Sequence, residues 1–99
     1  MKAAVLHASR DLRYEEIEKP QINDNEVLIR VRATGICGSD IPRVLADGAH
    51  FFPIVLGHEF SGVVAETGKN VSNVKVGDRV TAAPLVPCMK CADCQKGNY

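Results

Sequence analysis

The chain has 99 residues, of which 45% are hydrophobic, and 12 basic residues balance 12 acidic ones to give a formal net charge of zero. That balance gives no global electrostatic attraction to nucleic acid, and no apolar run approaches the roughly 20 residues that span a bilayer. The apolar start is too short for a signal peptide, and Arg10 and Asp11 interrupt it. We therefore expect a cytoplasmic protein without nucleic-acid or membrane partners, in which clustered cysteines indicate a metal more often than a disulfide.

Short apolar segments separated by turn residues predict a mainly β domain, a small barrel or sandwich. The predicted strands are residues 2–8, 12–17, 26–33 and 60–67, with a last strand after a turn near residue 77. Residues 26–33 alternate most regularly, so a half-buried strand is expected there, with Arg30 and Arg32 on its solvent face. Gly62, inside a predicted strand, indicates a bulge or the close approach of another backbone.

One short helix is predicted after the third strand. Residues 41–46 can form about one and a half turns, with Ser39 or Asp40 as the N-cap and Pro42 in the first turn. Residues 47–48, an Asp-Gly pair, are expected to end this helix.

Cys37, His58 and Glu59 together offer a thiolate, an imidazole and a carboxylate, a set that suits zinc with one coordination position left open. An open position indicates Lewis-acid chemistry. Neighbouring strand residues point to opposite faces, so His58 and Glu59 can share an ion only if the backbone bends, which Gly57 and Gly62 permit. Otherwise His58 binds alone, and Glu59 lies close by or exchanges with water. A buried cysteine and a core histidine without metal are the alternative interpretation.

Two residues near Cys37 are candidates for supporting roles. Asp40 can orient the imidazole of His58 from outside the ligand set. Ser39 can carry a proton between a substrate hydroxyl and bulk water.

Cys88, Cys91 and Cys94 have the C-x-x-C-x-x-C spacing that lets three sulfurs converge on one zinc ion. An iron–sulfur cluster begins with the same spacing but needs a fourth cysteine at the position of Asn98. A disulfide within the set is a further alternative on oxidation. Because tetrahedral zinc needs one more ligand, we expect that ligand beyond Tyr99, in a longer protein of which this chain is the front piece.

At these residues the sequence resembles the zinc-containing medium-chain alcohol and polyol dehydrogenases. The run from Gly57 to Val71 matches their G-H-E-x2-G-x5-G-x2-V signature at every fixed position, and the blocks at residues 35–40, 76–80 and 88–94 are in the family's order. Within the family, the segment from Cys37 to Pro53 is most similar to the galactitol 1-phosphate dehydrogenases, and next to sorbitol and other polyol dehydrogenases.

The resemblance implies a GroES-like, partly open β-barrel with short helices. Residues 1–99 would be the N-terminal part of the catalytic domain, and a structural-zinc lobe would begin within about residues 84–99. The implied zinc ligands are Cys37, His58 and Glu59 at the catalytic ion and Cys88, Cys91 and Cys94 at the structural ion. Ser39 would relay the alcohol proton, although Pro42 stands where many members carry a relay histidine.

The implied activity is oxidation of a sugar-alcohol secondary hydroxyl by hydride transfer to NAD. Galactitol 1-phosphate is the first candidate substrate, and sorbitol or another polyol is the alternative. The chain contains no G-x-G-x-x-G fingerprint, so NAD would bind a Rossmann domain elsewhere in a full-length homo-oligomer, and the 99 residues alone are expected to be inactive. A stand-alone zinc-binding module without catalysis is the competing function.

Two further polar groups, Arg43 and His50, lie near the predicted catalytic site in the sequence. One of them is hypothesised to contact a substrate phosphate through a charge-assisted hydrogen bond. The alternative is a surface arginine and a loop histidine.

Overall fold

The computed structural model describes all of residues 1–99, which form six strands and two short helices. In chain order these are β1 (Lys2–Ala8), β2 (Asp11–Glu16), β3 (Val27–Thr34), α1 (Asp40–Leu45), β4 (Ile54–Val55), β5 (Phe60–Thr67), β6 (Arg79–Thr81) and α2 (Ala92–Gln95). The predicted strands are found to within one residue at each end, whereas β4 and α2 are too short to carry a periodic pattern and are not predicted. Neither helix has the length and apolar character that would let it cross a membrane.

The first sheet has the strand order β2-β1-β4, and both of its strand pairs are antiparallel. The turn between β1 and β2 holds Arg10 at a φ of 65°, in the left-handed region. This turn also contacts α1, because the Arg10 N–H donates to the carbonyl of Val44 and the Ser9 hydroxyl donates to the carbonyl of Ala46, each at 2.6 Å. The hairpin is therefore tied to the C-terminal end of α1.

The second sheet has the strand order β3-β5-β6 and is also antiparallel. Gly62 lies in β5, where an added Cβ would collide with the carbonyl oxygen of Arg30 and lie 2.7 Å from Cγ2 of Ile29. The predicted close approach of another backbone is confirmed, and only glycine fits at this position. Because this pairing fixes β5, it also fixes the residues that lead into the strand.

β3 is less buried than its alternating pattern predicts. Its first three residues are partly buried, but the residues from Arg30 onward are exposed, Val31 by 52%. The register with β5 shifts between Leu28 and Ile29 and again between Val31 and Ala33, and each shift breaks the strict alternation of faces. Interactions between elements also lie mainly within each sheet, so no second layer covers this end of β3.

The buried core is small. Only Val5, Leu6, Val64 and Cys94 are buried apolar side chains, and fifteen large hydrophobic side chains are exposed. The radius of gyration is 15.6 Å, compared with about 13 Å for a compact domain of this length. The two sheets form an open arrangement, which confirms the prediction of a mainly β, partly open fold with short helices.

α1 begins one residue earlier than predicted and ends at Leu45. Ser39 is its N-cap residue, but the Ser39 side chain makes no capping hydrogen bond to the first turn. The N–H groups of Ala46 and Gly48 both donate to the carbonyl of Pro42, which closes the helix. The hydroxyl of Ser39 consequently has another partner, described with the site.

Candidate functional site

Three candidate ligands from two loops lie close together. Cys37 follows β3, and His58 and Glu59 come just before β5. The cysteine sulfur, an imidazole nitrogen and a carboxylate oxygen all lie within 4.8 Å of one another. Ligands of one tetrahedral zinc ion lie on the order of 3–4 Å apart, since each is about 2.0–2.3 Å from the metal. Folding therefore assembles a mixed S/N/O set that needs little rearrangement to surround one ion.

Two glycines shape the backbone around this set. Gly57 has a φ of 119°, which side-chain-bearing residues rarely adopt, and the backbone bends at Glu59. His58 and Glu59 both precede β5, so strand alternation does not force them onto opposite faces. Gly35 accommodates the Glu59 side chain, because an added Cβ there would lie 2.9 Å from Glu59 Oε2. The Gly35 N–H also donates to the Glu59 carbonyl at 2.7 Å.

Asp40 connects the two loops. Its side chain is only 10% exposed. Oδ2 accepts a hydrogen bond from the Cys37 N–H at 3.0 Å, and Oδ1 lies 3.6 Å from Nδ1 of His58. Oδ1 also accepts from Nη1 of Arg43 at 3.3 Å. A nearly buried carboxylate is costly unless it is paired, and here the Asp40 side chain has three nitrogen neighbours.

Ser39, Arg43 and His50 lie beside this cluster. Arg43 Nη1 donates to the Ser39 hydroxyl at 3.2 Å as well as to Asp40. Arg43 and His50 line a cavity of about 410 Å³ that also reaches His58. The sequence interpretation missed the inward direction of Arg43, although its i+3 and i+4 spacing from Asp40 and Ser39 on a helix is the pattern that predicts such contacts.

An open cleft of about 790 Å³ lies over the three candidate ligands, which are among the residues that line it. This volume falls within the range of small-molecule sites. Thr34 also lines the cleft, and its hydroxyl donates to the Glu59 carbonyl at 3.2 Å. Thr34 was not singled out from the sequence, because no motif distinguishes it from any other threonine at the end of a strand.

A second candidate ligand set lies around α2. The sulfurs of Cys88, Cys91 and Cys94 all lie within 4.8 Å of one another, and none of these residues forms a disulfide. Met89 has a φ of 59°, which curves the chain around the Cys88 sulfur. The backbone N–H groups of Lys90 and Cys91, in that order, contribute most to lowering the pKa of the Cys88 thiol to about 7. The thiolate is the form of cysteine that binds metals.

Comparisons with known proteins identify the family of the chain. Residues 23–99 match the family model of the alcohol dehydrogenase GroES-like domain. The chain is 48% identical over 101 residues to a sorbitol dehydrogenase from Bombyx mori, which covers 98% of this chain and 29% of that relative. It also matches the crystal structure of galactitol-1-phosphate dehydrogenase from Escherichia coli with a TM-score of 0.93 and 41% identity, over 97% of this chain and 28% of that one.

A third match is the apo form of zinc dependent alcohol dehydrogenase 2 from Streptococcus pneumonia, with a TM-score of 0.88 and 35% identity over 98% of this chain and 28% of that one. The chain thus spans less than a third of the length of the relatives it matches. The family model covers most of the chain, and the GroES-like, partly open fold is confirmed by the structural matches. The chain therefore belongs to the alcohol dehydrogenase GroES-like domain family.

Proposed function

We propose that this chain supplies the zinc-binding part of a dehydrogenase that oxidises a secondary hydroxyl of a sugar alcohol by hydride transfer to NAD. The observation that carries the proposal is the convergence of Cys37, His58 and Glu59 in one open cleft. The names of two relatives, dehydrogenases of sorbitol and of galactitol 1-phosphate, support the class of substrate. In this proposal NAD binds a Rossmann domain outside the 99 residues.

The donor set of the cleft fits zinc. Thiolate, imidazole and carboxylate are the ligand types that zinc takes, and three protein donors leave one tetrahedral position for a substrate oxygen. Because Nδ1 of His58 faces Asp40, Nε2 is the nitrogen that would bind the metal. When bound there, zinc supplies Lewis-acid chemistry that lowers the pKa of a substrate hydroxyl.

Asp40 and Ser39 would support this chemistry in different ways. Asp40 accepts the Cys37 N–H and faces the His58 ring, so it fixes one ligand loop and the orientation of the imidazole. Ser39 is exposed, and its hydroxyl would take the substrate proton and pass it to solvent. Pro42 cannot exchange a proton, so we propose that water carries the proton away from Ser39.

Galactitol 1-phosphate is the substrate that we propose first, with sorbitol as the alternative. Arg43 and His50 line the cavity beside His58, where a phosphate on the substrate chain would find hydrogen-bond donors. His50 suits this role better than Arg43, because Arg43 already donates to Ser39 and Asp40. Accordingly, His50→Gln should raise KM for galactitol 1-phosphate and leave KM for sorbitol unchanged. Equal KM changes for the two substrates would count against a phosphate contact at His50.

We also propose that Cys88, Cys91 and Cys94 hold a structural zinc at the start of a lobe formed by residues 84–99 and by chain outside them. Three close sulfurs support this assignment, and two of them, those of Cys88 and Cys91, accept backbone N–H groups. The fourth ligand would come from outside the 99 residues. A closed, four-ligand zinc site stabilises the fold and leaves no position for a substrate.

The test uses the complete protein that carries these residues, with metal analysis and NAD-linked oxidation of sorbitol and galactitol 1-phosphate. Wild type should hold about two zinc ions per chain, one for each ligand set. Cys37→Ala and His58→Ala should each retain about one zinc ion and lose activity. The matched control is His7→Gln, since the His7 ring pairs with Glu15 on the first sheet. Cys37→Ala protein that kept both zinc ions and full activity would contradict the proposal.

A further inference from the structure

The contacts of Arg43 lead to an inference that rests on the proposed function. We infer that Arg43 is a positioning residue, which holds Ser39 and Asp40 in place beside the metal ligands. In this role Arg43 supports the catalytic step through Ser39 and Asp40 and does not recognise a phosphate on the substrate.

The geometry of α1 brings these three side chains together. Ser39 and Asp40 stand at the start of the helix, and Arg43 follows one turn later. A single nitrogen, Nη1 of Arg43, donates to Ser39 Oγ at 3.2 Å and to Asp40 Oδ1 at 3.3 Å. Side chains three and four positions apart face each other on a helix, so the sequence spacing produces this bridge.

The bridge orients the hydroxyl of Ser39. Ser39 makes no capping hydrogen bond to the helix, so Arg43 is the side chain that fixes its oxygen. An arginine only donates, so the Ser39 oxygen accepts from Arg43 and its hydrogen must point elsewhere. The hydroxyl then keeps one hydrogen and one lone pair for the substrate hydroxyl and for water, as a proton relay requires.

The charge of Arg43 is also needed at this place. If zinc were bound, its two positive charges would balance a Cys37 thiolate and Glu59, and His58 is neutral when it binds a metal, so Asp40 would still need a cation. Arg43 is the permanent cation paired with Asp40, and its side chain is only 31% exposed. Removal of one partner from a largely buried ion pair leaves the other charge uncompensated. The carboxylate of Asp40 would then turn toward water and release its hold on the Cys37 N–H.

The experiment compares Arg43→Met, Arg43→Lys and wild type in the complete protein. Loss of a partner outside the ligand shell typically lowers metal affinity or activity 10- to 100-fold. Arg43→Met should therefore lower kcat by about tenfold with both sorbitol and galactitol 1-phosphate, while KM changes little. Zinc at the Cys37 set should also pass to a colorimetric chelator roughly tenfold faster. Arg43→Lys keeps the positive charge but not the planar guanidinium, so its kcat and its rate of zinc release should lie between those of Arg43→Met and wild type.

The matched control is Arg13→Met, which removes a different arginine–aspartate pair, with Asp11 on β2. It should leave kcat and zinc release unchanged. A KM increase confined to galactitol 1-phosphate, with kcat and zinc release unaltered, would overturn the inference and make Arg43 a phosphate contact. Unchanged kinetics and zinc release in Arg43→Met would overturn it as well.

If Arg43→Met does not fold, Arg43→Lys decides the question. Reduced kcat with both substrates supports the positioning role, and wild-type values oppose it. Failure of the proposed function would be visible separately, as wild-type protein that lacks zinc or does not oxidise either polyol.

Discussion

The replacement Asp40→Asn tests whether one carboxylate organises the candidate zinc site. The substitution keeps the size and shape of the side chain but exchanges one acceptor oxygen for an amide donor. In the structure Oδ2 accepts from Cys37, and Oδ1 accepts from Arg43 and faces His58. The single oxygen of an asparagine can accept from Cys37 or from Arg43, but not from both. Its NH₂ group must then face the other donor.

The magnitude can be estimated in two ways. A hydrogen bond to a charged group contributes about 1.5–3 kcal/mol, and the Asp40 side chain, 10% exposed, is shielded enough from solvent for that range to apply. Independently, loss of an outer-shell partner lowers metal affinity by about 10- to 100-fold, which corresponds to about 1.4–2.8 kcal/mol. The first range applies to fold stability and the second to zinc binding, so we expect the loss of zinc-binding free energy to be about 2 kcal/mol.

The assay equilibrates the complete protein with increasing chelator concentrations and measures the zinc that remains. The Cys88 set is unaltered in this variant, so its zinc serves as an internal reference. Asp47→Asn is the control, because the Asp47 carboxylate is exposed and only accepts a long hydrogen bond of 3.4 Å from Ser9. If Asp40→Asn retained zinc at the Cys37 set within about twofold of wild type, the contacts of Asp40 would not orient the ligands and the reasoning would be refuted.

Three further predictions concern other parts of the chain. Gly62→Ala should destabilise the protein by about 1–3 kcal/mol and lower its thermal midpoint, because the new methyl group meets the backbone of β3. Ser61→Ala is the control, and an unchanged thermal midpoint in Gly62→Ala would contradict the close approach. Cys91→Ser should reduce zinc from about two ions to about one per chain and leave some alcohol oxidation, whereas an unaltered zinc content in metal analysis would exclude Cys91 as a ligand. The Lys75 N–H donates to Asp78 and lowers the pKa of that carboxyl below its ordinary 3.8. The charge of Asp78 therefore stabilises the fold above pH 3.8 and loses this effect as pH falls through the lower folded-state pKa. Urea unfolding should show the stability difference between wild type and Asp78→Asn closing in that acidic range, and a difference independent of pH would refute the assignment.

The strands could largely be predicted from the sequence, but the burial of β3 could not. β1 and β5 are found at their predicted bounds, because each is an apolar run bounded by turn residues. The faces of β3 depend on its register with β5, which shifts twice. A register shift is a property of two strands together, so the alternation within one strand does not reveal it.

The candidate ligands, and Asp40 as a group beside them, could be identified from residue type and spacing, but the contacts between the loops that carry the ligands could not. The sequence supplied Cys37 and His58 as ligand types, and the fold brings them within reach of one ion. The approach of Gly35 to Glu59 joins residues from different loops, which no local pattern encodes. The bridge from Arg43 to Ser39 was predictable in principle, because it depends only on helical spacing.

The attachment of α1 to the β1–β2 turn has a consequence for protein engineering. Ser9 and Arg10 bond to the last turn of the helix whose first residue is Asp40. Replacement of Ser9 would remove one of these bonds, and a residue at position 10 that disfavours the φ of 65° would displace the N–H of the other, so either change can move the helix without changing any residue of the cleft. A library that randomises only the residues around the substrate would miss these positions, so we suggest including both in selections for altered activity.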